Sequence, residues 1–341
     1  MSRIRWSTTV VILLLMSLLA ACGGAAETAS GDQPSDVAAA GGADEGGGDG
    51  QITLGFSQVG AESGWRTANT ESIQSSAEEA GIDLKFSDAQ QKQENQIKAI
   101  RSFIQQQVDV IAFSPVVESG WDTVLQEARD AGIPVVLTDR AVDSPDDSLY
   151  VSFLGSDFVE EGRKAGQWLV EEYADETGTV NIVELQGTTG SAPAIDRKEG
   201  FEEVIADEEK FEIIASQTGE FTRAKGKEVM QAFLSANDDI DVLYAHNDDM
   251  GLGAIQAIEE AGLTPGEDIK IITVDAVKDG MIALSEGRIN FIVECNPLLG
   301  PQLMEIVQQV MAGEEVEKRI VTDETTFTQE EALAVLDERQ Y

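Results

Sequence analysis

Short apolar, β-branched runs alternate with amphipathic helical stretches along the chain after residue 50, and this alternation restricts the fold more than any other feature. Strand-like runs cover residues 52–56, 83–86, 108–113, 134–138, 180–185, 212–215, 241–245 and 269–274. Between them, helical periodicity covers 93–106, 120–131, 158–173, 224–234 and 252–261. Runs that are apolar on both faces and separated by helices build parallel sheets from βαβ units. Ala80-Gly81, Ala131-Gly132 and Ala261-Gly262 each put a glycine just past a helix end, where positive φ is required, and a strand follows within a few residues. One set of units precedes about Ser156 and a second follows it, which predicts an α/β protein of two Rossmann-like, doubly wound lobes. The roughly 290 residues after position 50 suit two domains of ordinary size.

Residues 1–22 read as an export signal. Arg3 and Arg5 form a positive n-region, Val10 to Ala20 an apolar run of about eleven residues, and Leu19-Ala20-Ala21-Cys22 a lipobox. The run is too short to span a bilayer. Cleavage before Cys22 leaves a thiol that takes lipid, and each buried acyl CH₂ contributes roughly 0.8 kcal/mol, so two chains hold the protein at the membrane surface. An ordinary signal peptide with an incidental cysteine is the competing reading, and the segment that follows argues against it. Residues 23–50 are dominated by Gly, Ala, Ser, Asp and Glu, with no aromatic residue and no Lys or Arg. Such a segment cannot bury enough apolar surface to fold, and as a coil it spans roughly 30 Å. With Cys22 it forms an acidic tether over 22–50, so the folded part is expected outside the cytoplasm, anchored to the membrane.

A formal charge of −40, from 63 acidic and 23 basic residues, opposes nucleic-acid binding and provides no polybasic patch for anionic lipid. With Cys22 assigned to lipid, Cys295 has no intramolecular partner, so the fold stands without a disulfide and Cys295 reads as a small buried hydrophobe. His246 is the only histidine, which removes any His-cluster metal site and makes a Ser/His/Asp triad depend on one residue.

In open parallel sheets, ligands bind beyond the carboxyl ends of the strands. Those ends carry Ser57, Gln58, Ser114, Asp139, Arg140, Glu184, Gln186, Asn247, Asp248, Asp275 and Glu294. Taken singly, each reads as a turn or helix cap; all of them facing one cleft read as a site. The loop Gly60-Ala-Glu-Ser-Gly-Trp-Arg66 offers an acid, an aromatic plane and a guanidinium within five residues. Carboxylates accept from hydroxyls and arginine donates to them, so this mixture suits a neutral polyol. Trp65 also reads as a core residue at a helix start. Arg197 follows the approach Gly187-Thr-Thr-Gly-Ser191, which resembles an anion-binding loop but lacks the Gly-Lys-Ser/Thr ending of a P-loop. Asn247-Asp248-Asp249 lacks the alternating ligands and closing Glu of a calcium loop and reads as a cap for the helix starting near Met250. No nucleophile, base and oxyanion set assembles, so the chain reads as a binder with no cofactor and no metal.

Six segments carry a resemblance over essentially everything after residue 50: residues 55–66, 88–98, 183–187 (Val-Glu-Leu-Gln-Gly), 195–201 (Ile-Asp-Arg-Lys-Glu-Gly-Phe), 221–230 and 244–250 (Tyr-Ala-His-Asn-Asp-Asp-Met). In these the chain resembles the periplasmic sugar-binding proteins of the type I (ribose/galactose-binding) class that serve ABC importers, and within them the galactofuranose-binding branch. The resemblance implies the type I periplasmic binding protein fold, two lobes joined by three crossings. It assigns 51–156 and 295–320 to the N-terminal lobe, 157–294 and 321–341 to the C-terminal lobe. It implies that Glu62, Trp65, Arg66, Asp139 and Arg140 hold sugar from the first lobe, and Arg197, Phe221, Arg223, Asn247, Asp275 and Glu294 from the second lobe and hinge. The segment 293–301 is one residue shorter than the related pattern. The implied protein is not an enzyme: it is a monomer that closes on a monosaccharide, galactofuranose or a related galactose-type sugar, and presents the closed form to an ABC permease and its ATPase. A sensor subunit that presents sugar or a furanone to a membrane receptor is the alternative. A repressor would need a DNA-binding head where this chain has an export signal, and a hydrolase would need a paired-carboxylate site.

Overall fold

The computed structural model describes residues 50–341. The leader, the lipobox at Cys22 and the tether up to residue 49 lie outside the described residues. The first lobe opens with β1 (Thr53–Gln58), α1 (Gly64–Glu79), β2 (Asp83–Asp88), α2 (Gln93–Gln106), β3 (Val110–Phe113), α3 (Asp122–Asp130), β4 (Val135–Thr138) and β5 (Ser152–Gly155). The second contains α4 (Phe158–Glu172), β6 (Val180–Gln186), α5 (Ala192–Ile205), β7 (Phe211–Thr218), α6 (Arg223–Ala236), β8 (Val242–Ala245), α7 (Asp248–Glu260), β9 (Lys270–Asp275), α8 (Lys278–Ser285) and β10 (Phe291–Glu294). The chain then returns through α9 (Gly300–Ala312), β11 (Arg319–Val321), β12 (Thr326–Phe327) and α10 (Gln329–Val335).

Two six-stranded sheets result, ordered β2-β1-β3-β4-β5-β11 and β7-β6-β8-β9-β10-β12. Neighbours run parallel except β12, which is antiparallel to β10. Both sheets are buried on both faces, which is why their strands read as continuous apolar runs. In β3, Val110 and Ala112 join Leu54, Ile73, Leu303 and Ile306 on one face, while Ile111 and Phe113 join Phe103, Trp121 and Leu125 on the other. In the second sheet, Leu243 and Ala245 of β8 pack toward α6 and α7, and Val242 and Tyr244 toward α4 and α5.

The α2 helix has the predicted bounds, and Gly81, Gly132 and Gly262 take φ of +68°, +74° and +81° after their helices. The strands β5, β11 and β12 had no separate signature in the sequence: β11 and β12 are only three and two residues long, and β5 has just two apolar residues between Ser152 and Gly155.

The chain passes between the lobes three times, from β5 to α4, from β10 to α9 and from β11 to β12. Glu324 gathers these crossings: its Oε1 accepts from Ser156 Oγ, Thr322 Oγ1 (2.9 Å) and Asn296 N (2.9 Å). The α1 helix is unusually polar on its buried face because that face meets the second crossing. Asn69 Nδ2 donates to Pro297 O (2.9 Å) and Ser72 Oγ accepts from Gly300 N (3.0 Å).

Candidate functional site

The carboxyl ends of both sheets face one another across a partly open cleft whose cavity measures about 20 Å³. On that measure it is room for about one water, so a larger solute enters only if the two walls move apart. The first lobe contributes Glu62 and Ser63 from the β1–α1 connection, Trp65 and Arg66 from the first turn of α1, and Asp139 and Arg140 after β4. The second contributes Pro193 and Arg197 of α5, Phe221 after β7, Asn247 after β8 and Asp275 at the end of β9, with Cys295 at the second crossing.

Arg66 organises the first-lobe wall. Its Nη2 donates to Asp139 Oδ2 (2.7 Å), its Nε to Glu62 Oε1 (3.1 Å) and its Nη1 to Gln58 Oε1 (3.2 Å). Ser114 Oγ also donates to Asp139 Oδ2 (2.8 Å), so Ser114 supports the wall without lining the cavity. Burial would lower the Arg66 pKa, but Asp139 and Glu62 outweigh it and raise the value. Burial would raise Asp139, yet Arg66 and Arg140 hold it below the usual carboxylate range. Arg140, pressed by burial and by Arg66, is lowered to about 10 and stays cationic at neutral pH. It lies over the Phe221 ring across the cleft, 5.3 Å from the centroid.

In the second-lobe wall, Arg197 Nε donates to Glu161 Oε2 (2.7 Å) and Nη1 to His246 O (2.6 Å). This needs α4 and α5 in near-contact, and Gly162 supplies it: a Cβ there would lie 2.2 Å from Arg197 O. Burial lifts Glu161 to about 8 against the opposing pull of Arg197. Asp275 is also raised, first by burial and then, with Arg197 opposing, by the acidic neighbours Asp248, Asp249 and Glu161. Asn247 caps α7, accepting from Met250 N (3.0 Å), and donates to Phe221 O (3.2 Å). The cap expected from sequence and a cavity-lining position thus coincide in one residue.

Three cavity-lining residues keep a buried polar atom with no hydrogen-bond partner among the described residues: Glu62 Oε2, Arg140 Nε and Asp275 Oδ2. They come from both lobes. Such atoms are costly unless something hydrogen-bonds them. Backbone strain gathers at the same place, with φ of +61° at Asp139, +59° at Phe221 and +125° at Asp275.

Two residues assigned from sequence lie outside the cavity. Arg223 projects from the start of α6 to Asp249 Oδ1 (3.0 Å) and Asp279 Oδ2 (3.0 Å), and is partly exposed. Glu294 turns away to Arg339 Nη1 (2.7 Å) and the Tyr341 hydroxyl (2.9 Å). Its neighbour Cys295 faces inward instead, as alternation along an extended strand requires. Ser63, Pro193 and Cys295 line the cavity and were not assigned from sequence. Trp65 satisfies both of its readings: it lines the cavity, packs with Phe158, Val277 and Cys295 of the second-lobe core cluster, and donates Nε1–H to Cys295 O (2.7 Å). His246 is buried against Glu184 Oε1 (3.0 Å), away from the cavity lining, and burial lowers its pKa.

Two sheets with their carboxyl ends opposed across a polar cavity, and three crossings behind it, define a two-lobed solute-binding protein. Residues 54–315 match the periplasmic binding protein domain, and the chain belongs to that family. It is 48% identical over 293 residues to the galactofuranose-binding protein YtfQ of Escherichia coli K12, covering 85% of this chain and 92% of that one. A Mycobacterium smegmatis protein crystallised with β-D-fucofuranose shares 64% identity at a TM-score of 0.84, covering 85% of this chain and 95% of that one. The binding component of an arabinose ABC transporter from Shewanella sp. ANA-3, bound to α- and β-L-arabinofuranose, shares 52% identity at a TM-score of 0.82, covering 85% and 96%. Among the described residues no helix is long and apolar enough to cross a membrane.

Proposed function

We propose that this protein is an extracytoplasmic sugar receptor for an ABC importer that binds one monosaccharide in furanose form between its lobes. One observation carries the reading: the cavity between the lobes is lined by two unpartnered carboxyl oxygens, on Glu62 and Asp275, and one unpartnered guanidinium N–H, on Arg140. A ring of hydroxyls, each both donor and acceptor, can satisfy that set, whereas an anion or a cation alone cannot. The sugars bound by the relatives support the furanose. Galactofuranose, fucofuranose and arabinofuranose of the D-galacto, D-fuco and L-arabino series share ring stereochemistry and differ in the exocyclic carbon chain. We assign Glu62, Trp65, Arg66, Asp139, Arg140, Arg197, Phe221, Asn247 and Asp275 to the sugar, with the charged groups fixing hydroxyls.

Binding, not turnover, is the activity. Sugar that touches both lobes favours the closed form by its differential affinity, and the closed form is what a permease would recognise. Lipid on Cys22 would keep the receptor near that permease as a tethered monomer.

Calorimetric titration with D-galactose, D-fucose and L-arabinose, against D-ribose and D-glucose, tests the proposal. Heat from the first group and none from the second supports it. Tight binding of ribose or glucose alone, or no heat from any sugar, would remove the galacto-furanose reading.

A further inference from the structure

We propose that Asp249 is a positioning residue, a latch that closes the two lobes on one another without touching the sugar. This rests on the sugar-receptor reading and extends it to a group outside the cavity lining.

The α1 helix begins with a donor its own turn cannot use. Ser63 Oγ caps the helix by accepting from Arg66 N (3.1 Å), which leaves the N–H of Gly64, the first helical residue, without an intrahelical acceptor. Asp249 reaches it from the opposite lobe: Oδ2 accepts from Gly64 N at 2.6 Å. The carboxylate stands in the first turn of α7, so it lies between the positive ends of two helices, one from each lobe. It is 6% exposed. Its other oxygen is held by Arg223 Nε (3.0 Å), and Arg223 is itself steadied by Asp279 (3.0 Å). Arg223, assigned to sugar from sequence, thus has a different task in the structure: it aims the latch.

Among the described residues one other direct hydrogen bond joins the rims of the cleft, from Glu118 N to Gly190 O (2.9 Å), and it is backbone to backbone. The Asp249 contact is therefore the one a side-chain substitution can remove. Because it forms only when the lobes meet, it favours closure equally with any sugar. Apparent affinity scales with the fraction of binding-competent protein. Losing the latch therefore weakens every ligand by one common factor, whereas losing a sugar contact changes the ratios between ligands.

The test compares wild type with Asp249→Ala, Asp249→Asn and Arg223→Ala by calorimetry on two sugars that bind, and by small-angle X-ray scattering without sugar. Asp249→Ala is expected to weaken both sugars about tenfold, equivalent to about 1.4 kcal/mol. The ratio between the sugars should stay within about twofold, and the ligand-free protein should scatter as a more open shape. Asp249→Asn, which keeps an acceptor and conserves the fold, and Arg223→Ala should fall between this and wild type. Unchanged affinity overturns the latch. So does a ratio that moves more than about threefold, which would make Asp249 a sugar contact, or weaker binding with unchanged scattering and a lower melting temperature, which would make it structural support for α7. If wild type binds no sugar, the receptor reading fails, and the scattering comparison still decides the latch.

Discussion

Replacing Arg66 by methionine tests whether the first-lobe wall is held by charge balance. Wild type places Arg66 against Asp139 at 2.7 Å and Glu62 at 3.1 Å, with all three side chains at most 5% exposed. Without Arg66 the two carboxylates share Arg140 alone, at 3.6 Å from Asp139 and 3.7 Å from Glu62, and one buried negative charge is left over. At an effective dielectric near 20 a unit pair 4 Å apart is worth about 4 kcal/mol, and relief of the Arg66–Arg140 repulsion returns part of the loss. Removing one partner of a buried pair costs about 3–5 kcal/mol, which is a large share of a total stability of about 5–15. Urea denaturation of ligand-free protein should show a loss in that range. Adding Asp139→Asn restores neutrality and should recover at least half of it, a coupling that independent sites would not show. The pH dependence has a defined sign. Arg66 holds Asp139 below its ordinary value, so the wild-type stabilisation is present above that value and fades as pH falls through the depressed one. The gap between wild type and Arg66→Met should therefore persist at pH 4 and narrow only below about pH 3.8. A loss under about 1 kcal/mol, or strict additivity in the double variant, would refute the charge-balance argument.

Glu161 should make stability fall as pH rises from about 4.5 to about 8, because burial raises its folded-state pKa to about 8 and the folded chain keeps a proton that the unfolded chain releases. Urea midpoints across that range check this, and Glu161→Gln should flatten the slope. Gly162→Ala should cost at least about 1–3 kcal/mol and weaken sugar binding, since its Cβ would meet Arg197 O at 2.2 Å and force α4 from α5; thermal unfolding and calorimetry read the two effects. Glu294→Gln should leave sugar affinity within about twofold and lower the melting temperature, because its partners are Arg339 and Tyr341 and not the cavity. A large affinity loss with no change in melting would return Glu294 to the site.

The strands were legible where burial on both faces turned them into unbroken apolar runs, as in Val110 to Phe113. Asp139, Asn247 and Asp275 could be placed at the cavity because βαβ winding sends every strand's carboxyl end the same way. Glu294 was misplaced by one step of a two-residue alternation: the inward position belongs to Cys295, and a slip of one reverses the face. Arg223 carries the same charge as the true lining arginines, and what separates it from them is Asp249 and Asp279, 26 and 56 residues away. The bond from Asp249 to Gly64 spans 185 residues, and no local pattern marks either end. The positive φ of Phe221 likewise left no trace, since a bulky aromatic residue does not announce that conformation.

The last strands carry a consequence for how the chain acquires its shape. Each sheet is finished by a short strand made near the end of synthesis: β11 beside β5, pairing Arg319 with Phe153, and β12 beside β10, pairing Phe327 with Ile292. Glu324, which ties the crossings, lies between them. Neither lobe can complete its sheet until some 270 residues of the folded region have been made, and the pairing of β11 with the distant β5 forms slowly. A ribosome-bound or partly translocated chain therefore holds two unfinished lobes rather than one finished and one pending, an order of assembly suited to a protein proposed to work outside the cytoplasm. Cutting the chain at residue 318 would strip both sheets of an edge strand at once.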